Sequence, residues 1–94
     1  MNRYKLELTK ERDDKIIHEI CSRYDVQWLS ILSKSRVSVV VDARRLYCGI
    51  LRNVFGLTFH QIGDILNKNH ATIIHNLKIH HNFVKILKSY KNNY

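Results

Sequence analysis

Proline is absent from the sequence, and only three glycines occur among its 94 residues. That scarcity suits an all-α domain with short connections, and no repeat or low-complexity segment stands out. No apolar run approaches about 18 residues, so a membrane-spanning helix is not expected. The N-terminal MNRYKLELTKERDDK lacks the apolar centre of a secretion signal. Cysteine is limited to Cys21 and Cys48, each set among apolar residues at helical spacing. They read as buried free thiols, which fits an intracellular, cytoplasmic location. A GxxxxGK(S/T) phosphate loop is missing, and the chain has no room for an ATPase domain, so no nucleotide and no cofactor are expected.

Acidic residues are also unevenly scarce. Residues 1–25 carry six Lys/Arg and six Asp/Glu, which cancel, whereas residues 26–94 carry ten Lys/Arg against Asp42 and Asp64 alone. The formal net charge of +8 therefore belongs to the second stretch. A nuclease or transposase needs clustered carboxylates to hold its metals, which this distribution argues against. His70, His75, His80 and His81 share one predicted helix, but five-residue steps turn side chains about 140° apart and no Cys or carboxylate is near. Neither a metal site nor catalysis is expected. A basic surface attracts polyanions, without distinguishing DNA from RNA or an acidic partner.

What is present is a helical pattern. Thr9 is placed to cap a helix over about 10–24, with Ile16, Ile17, Ile20, Cys21 and Tyr24 facing inward. Asp25 can cap a second short helix over 26–33 burying Val26, Leu29 and Leu32, with Trp28 half in the core. Residues 33–38, SKSRVS, form the best loop candidate, and Lys34 and Arg36 on a mobile loop can reach a groove closed to a helix. Arginine suits a narrow minor groove because its flat head sheds water easily. A long helix over Val39–Phe55 buries Val40, Ala43, Tyr47, Ile50, Leu51 and Val54, turning Arg44, Arg45 and Arg52 to the other side, and Gly56 supplies a left-handed cap. Residues 1–9 and 89–94 are expected to fray.

The stretch Thr58 to Leu87 organises the rest. Thr58 and Gln61 form a capping box that starts a helix at Phe59. Phe59, Ile62, Ile65 and Leu66 make its buried stripe. Asn67, Lys68 and Asn69 break the pattern, and Asn69 caps a longer helix that turns Ile73, Ile74, Leu77, Val84 and Leu87 inward. The first turn of that helix, His70-Ala71-Thr72, lacks a large apolar residue. Two helices joined by a short polar turn are the layout of a helix-turn-helix DNA reader, although an ordinary helical hairpin has the same pattern.

Several blocks then resemble the C-terminal DNA-binding domain (domain IV) of DnaA, the bacterial replication initiator. NKNHATIIHNLK is similar to the family signature GGRDHxTVxHAxxK, LTFHQIGDIL to a helix ending in EIG, VVVDARRLYCGIL to VxARQIAMYL, and YDVQWLSILSKSR to YxIxxxDLxSKxR. These blocks cover about residues 10–88 in the family's order. The resemblance implies an all-α domain of about five helices, Trp repressor-like, whose recognition helix enters the major groove of an asymmetric DnaA box in double-stranded DNA while a loop arginine enters the minor groove. It carries Arg36 onto the minor-groove arginine, Arg44 onto a phosphate-contacting arginine, and Lys68 onto a phosphate-side arginine. His70 and Thr72 match groove-facing positions, His75 matches a phosphate-contacting histidine, and Thr58 and His60 fall where the first helix nears the backbone.

Departures are local. Asn69 replaces an Asp, exchanging an acceptor for a group able to pair bidentately with adenine. Ala71 replaces a base-contacting Thr, the turn is one residue shorter, and Ser35 and Ser38 stand where basic residues are frequent. The expected activity is sequence-specific duplex binding by Lys34, Arg36, Arg44, Arg45, Thr58, His60, Lys68, Asn69, His70, Ala71, Thr72 and His75, as a monomer on DNA and without enzymatic activity. A free-standing regulator of replication or transcription, a phage or mobile-element protein, and an excised fragment all fit. The alternative of another class is a basic module docking on RNA or an acidic protein.

Overall fold

The computed structural model describes residues 7–78. Among these, the chain forms five helices and no strand: α1 (Lys10–Tyr24), α2 (Trp28–Leu32), α3 (Ser38–Asn53), α4 (Phe59–Leu66) and α5 (His70–Lys78). Helix α3 is the axis of the fold and packs against each of the other helices, while α4 and α5 pack on one another. Its buried residues, Val40, Ala43, Leu46, Tyr47, Cys48, Ile50 and Leu51, surround most of its circumference. Its remaining side carries Ser38, Asp42, Arg45, Arg52 and Asn53, so α3 is buried over a broad face and polar on the other.

Helix α1 begins where Thr9 accepts from the Arg12 N–H at 3.2 Å and lays Ile16 and Ile20, both fully buried, against α3. Ahead of the helix, Arg12 donates to the Glu7 carbonyl, and Leu8 packs on the core. Tyr47 crosses from α3, donating its hydroxyl to Asp13 Oδ1 at 2.7 Å, and its ring meets Trp28 edge-on at 5.0 Å. Trp28 is half-buried, as the pattern implied.

Asp25 differs from its expected role. It lies in the left-handed region (φ 54°) and closes α1, its backbone N–H returning to the Cys21 carbonyl. Helix α2 consequently starts later, at Trp28 after Gln27, and buries Ile31 rather than Leu29, which is 74% exposed. Ile65 of α4 also faces out, because Ile62 and Leu66 set the centre of that stripe and Ile65 is about 100° from Leu66. Both cysteines are free, Cys48 buried and Cys21 half-buried. Val84, Leu87, His80, His81 and the expected C-terminal tail lie outside the described residues.

Candidate nucleic-acid interface

The capping box at Thr58 forms in full. The Gln61 N–H donates to Thr58 Oγ1 at 3.1 Å, and the Thr58 N–H donates to Gln61 Oε1 at 2.8 Å. Helix α4 ends in a Schellman turn: the Lys68 N–H reaches the Gly63 carbonyl at 2.8 Å and the Asn67 N–H that of Asp64 at 3.3 Å, with Asn67 left-handed at φ 54°. This closure folds Lys68 back over α4 so tightly that a Cβ on Gly63 would stand 2.5 Å from the Lys68 carbonyl oxygen. Asn69 then caps α5, its Oδ1 accepting from the Ala71 N–H at 2.8 Å.

These local choices expose the first turn of α5. His70, Ala71 and Thr72 are exposed, while Ile73 beneath them is fully buried and anchors the helix to the core. Across from this turn lies the α2–α3 loop. Its serines shape it, with Ser33 Oγ accepting from the Ser35 N–H and Ser35 Oγ from the Val37 N–H. Lys34 and Arg36 project from it and are exposed.

Between loop and helix is an open concavity of about 420 Å³, lined by Lys34, Ser35, Arg36, Val41, Arg44, Arg45, Lys68, Thr72 and His75. Among the described residues no carboxylate lines it. Cations brought together in this way repel one another unless a polyanion arrives. Lys68 registers the crowding: partial burial, then the charges of Arg44 and Lys34, hold its ammonium below the ordinary lysine value.

Arg44 corrects the sequence reading. It does not turn to the outer side; only 7% of it is accessible. Its Nε donates to the Ile31 carbonyl at 2.8 Å, one Nη to Ser35 at 3.2 Å, and the other to Ser33 at 2.9 Å and Ser30 at 3.3 Å. These carbonyls lie at the end of α2 and in the loop, and that of Ser30 also accepts from the Ser33 N–H and hydroxyl. Of the five guanidinium N–H groups, one remains for an outside ligand. Burial lowers its pKa below the ordinary arginine value, and the residue stays cationic. Lys68 Nζ donates to the same Ser33 carbonyl at 2.9 Å. The loop is thus tied from α3 and from the turn, and is not the mobile connector its polarity suggested.

Thr58, His60, Asn69, His70 and Ala71 lie outside the concavity's lining. The His60 and His70 rings stack at 4.0 Å between centroids and 31° between planes, joining the first turns of α4 and α5. Sequence reading missed this pair, because nothing in the spacing marks residues from two helices as neighbours. Arg52 has a supporting place, its guanidinium 4.4 Å from the Phe59 ring centre and donating to the Leu57 carbonyl at 3.0 Å. Asn69 spends one of the two lone pairs of Oδ1 on the α5 cap.

Comparison with known proteins gives a consistent result. A family model described as the bacterial dnaA protein helix-turn-helix matches residues 14–79. The chain is 30% identical to the chromosomal replication initiator protein DnaA of Pseudothermotoga lettingae over 66 residues, covering 70% of this chain and 15% of that protein. The corresponding protein of Mycoplasma pneumoniae is 36% identical over 59 residues, covering 63% and 13%. That of Bacteroides thetaiotaomicron is 30% identical over 79 residues, covering 83% and 17%. The chain therefore spans under a fifth of the length of these relatives. No solved structure matches it.

Proposed function

Because the chain belongs to the bacterial DnaA helix-turn-helix family, we propose that it reads a DnaA-box-like site in double-stranded DNA as a monomer, with α5 in the major groove and Arg36 in the adjacent minor groove. The observation that carries this reading is the acid-free concavity between the loop and α5. A protein that probes two adjacent grooves must straddle the sugar-phosphate strand between them. The concavity is a cationic seat at that place, flanked by an exposed arginine on one side and an exposed helix start on the other.

Each side chain then has a physical task. His70, Ala71 and Thr72 present an imidazole, a methyl and a hydroxyl to base edges, the methyl suiting thymine. Lys34, Arg45 and Lys68 neutralise phosphates, His75 contacts one, and Thr58 and His60 approach the backbone from α4. Arg44 adds charge and holds the loop that aims Arg36. The reading assigns no catalytic step, metal or nucleotide to the chain. In the cell it places the domain on the nucleoid in the cytoplasm, in replication initiation or its regulation.

A competition experiment tests this, using a duplex with a DnaA-type box, a scrambled duplex and RNA at two salt concentrations. Affinity for every polyanion falls as salt rises, with a log–log slope of about −0.9 per neutralised phosphate. The box is expected to keep an advantage of roughly a thousandfold over scrambled duplex. Equal affinity for all three would sink the proposal. Arg36→Ala should cost about 1–3 kcal/mol more on the box than on scrambled duplex, since it removes groove readout as well as charge. Equal losses on both would make Arg36 purely electrostatic.

A further inference from the structure

His70 is the first residue of α5 and is exposed, so its imidazole must be fixed in direction before it can meet a base edge. One neighbour does this. The His60 ring of α4, also exposed, lies against it at 4.0 Å between centroids and 31° between planes. The backbone brings the two rings together at Gly63. His60 and Gly63 are one helical turn apart and share a face of α4. The start of α5 crosses that face so closely that the His70 backbone nitrogen lies 3.5 Å from where a Gly63 Cβ would stand.

The ring on which His70 leans is itself anchored. The first turn of α4 is closed by the reciprocal Thr58–Gln61 bonds at 3.1 and 2.8 Å. Next to His60, the Phe59 ring sits under the Arg52 guanidinium at 4.4 Å, and Arg52 also donates to the Leu57 carbonyl at 3.0 Å. Stacking occupies a face of the His70 imidazole, whereas its two nitrogens lie in the ring plane and point out from the edge. The contact therefore aims the polar edge without consuming it. A side chain already held in its bound direction loses less freedom on binding.

From this we infer that His60 is a positioning residue for base reading: it acts through His70, holding that imidazole towards one base pair. The inference rests on the proposal that α5 enters the major groove. A contact to phosphate carries no sequence information, but a support for a base-reading ring does. Removing the support leaves the cationic seat as it was and frees the His70 edge to wander. The penalty then falls on the box and spares the scrambled duplex.

The whole chain, His60→Ala, His60→Phe, His70→Ala and the double alanine variant are titrated with both duplexes and put through selection from random duplexes. Phenylalanine keeps a flat aromatic face but has neither charge nor hydrogen bond to offer a phosphate. Alanine removes the face and favours the helix. His60→Ala is expected to lose roughly two- to tenfold on the box, the worth of one aromatic pair, with no loss on scrambled duplex. His60→Phe should recover most of that loss. In the selected sites, His60→Ala should flatten the base pair that His70→Ala flattens, and adding it to His70→Ala should change nothing further. Equal losses on both duplexes, with His60→Phe as weak as His60→Ala, would make His60 a phosphate contact and overturn the inference. So would a full second penalty in the double variant, or an unaltered site for His60→Ala while the native chain enriches one. Enrichment of no site by the native chain would overturn the duplex-reading proposal and this inference with it.

Discussion

Arg44 shows how one side chain can be mistaken when its charge is read before its position. It is seven residues before Leu51, two helical turns, so the two side chains share nearly one line along α3. Leu51 is fully buried, and Arg44 follows it into the interior. The signal was in the spacing. What the spacing could not reveal is the row of carbonyls that makes burial of a guanidinium tolerable, because those belong to residues 30–35, far away along the chain. Arg44→Lys keeps the charge and loses the planar fork. It should lower unfolding stability by roughly 2–4 kcal/mol in urea titrations, since charged hydrogen bonds to buried carbonyls are broken. On DNA it should narrow the gap between box and scrambled duplex while leaving the salt slope nearly unchanged. Unaltered stability with a shallower slope would instead make Arg44 a plain phosphate contact.

At the scale of elements, the turn between α4 and α5 carries the clearest conflict between local preference and tertiary demand. Gly63 lies inside α4, where alanine would favour the helix by about 1 kcal/mol. Here the α5 turn folds back to within 2.5 Å of where a Cβ would sit, and the atom met is a backbone oxygen that cannot swing aside. Gly63→Ala should therefore destabilise the protein by roughly 1–3 kcal/mol, read as a lower urea midpoint; a raised midpoint would show that the turn relaxes freely. The helices themselves were legible from periodicity and caps, notably Thr9, the Thr58–Gln61 box and Asn69. The ends that were misjudged, Asp25 and the start of α2, involve a left-handed residue whose side chain is compatible with either cap. A carboxylate after Tyr24 reads equally as the close of one helix or the opening of the next. The cationic seat was legible as composition, through the missing acids after residue 25, but its shape depends on Lys68 meeting Ser33 across 35 positions.

For the whole molecule, the core around α3 couples folding to protonation. Burial pushes the Cys48 thiol from 9.0 up to about 12. Burial, followed by the hydrogen bond to Asp13 and its charge, raises the Tyr47 hydroxyl above its ordinary 10.0. A group with a raised folded value stabilises fully below its unfolded value and loses that contribution as pH climbs towards the folded one. Stability should thus hold up to about pH 9 and then decline, by up to about 1.4 kcal/mol per pH unit for each group. Lys68 acts in the opposite sense, because its ammonium is held below 10.5 and the cost of its charge fades as pH rises towards that value. Between pH 9 and 10 the thiol dominates, being the more deeply buried. Urea midpoints measured over this interval should fall for the native protein and fall less steeply for Cys48→Ala, where the Cys21 thiol, also raised by burial, keeps a smaller share; an equally steep fall in that variant would reject the account.

The Ser33 carbonyl, gripped at once by a helix interior and by a reading turn, has a mechanical consequence. On the proposed reading, the loop that carries Arg36 and the first turn of α5 would be the jaws of a calliper whose spacing this shared carbonyl sets. Such an instrument gauges the span from one groove to the next. Duplex that is locally unwound or stretched changes that span, and would be refused even when its letters are correct.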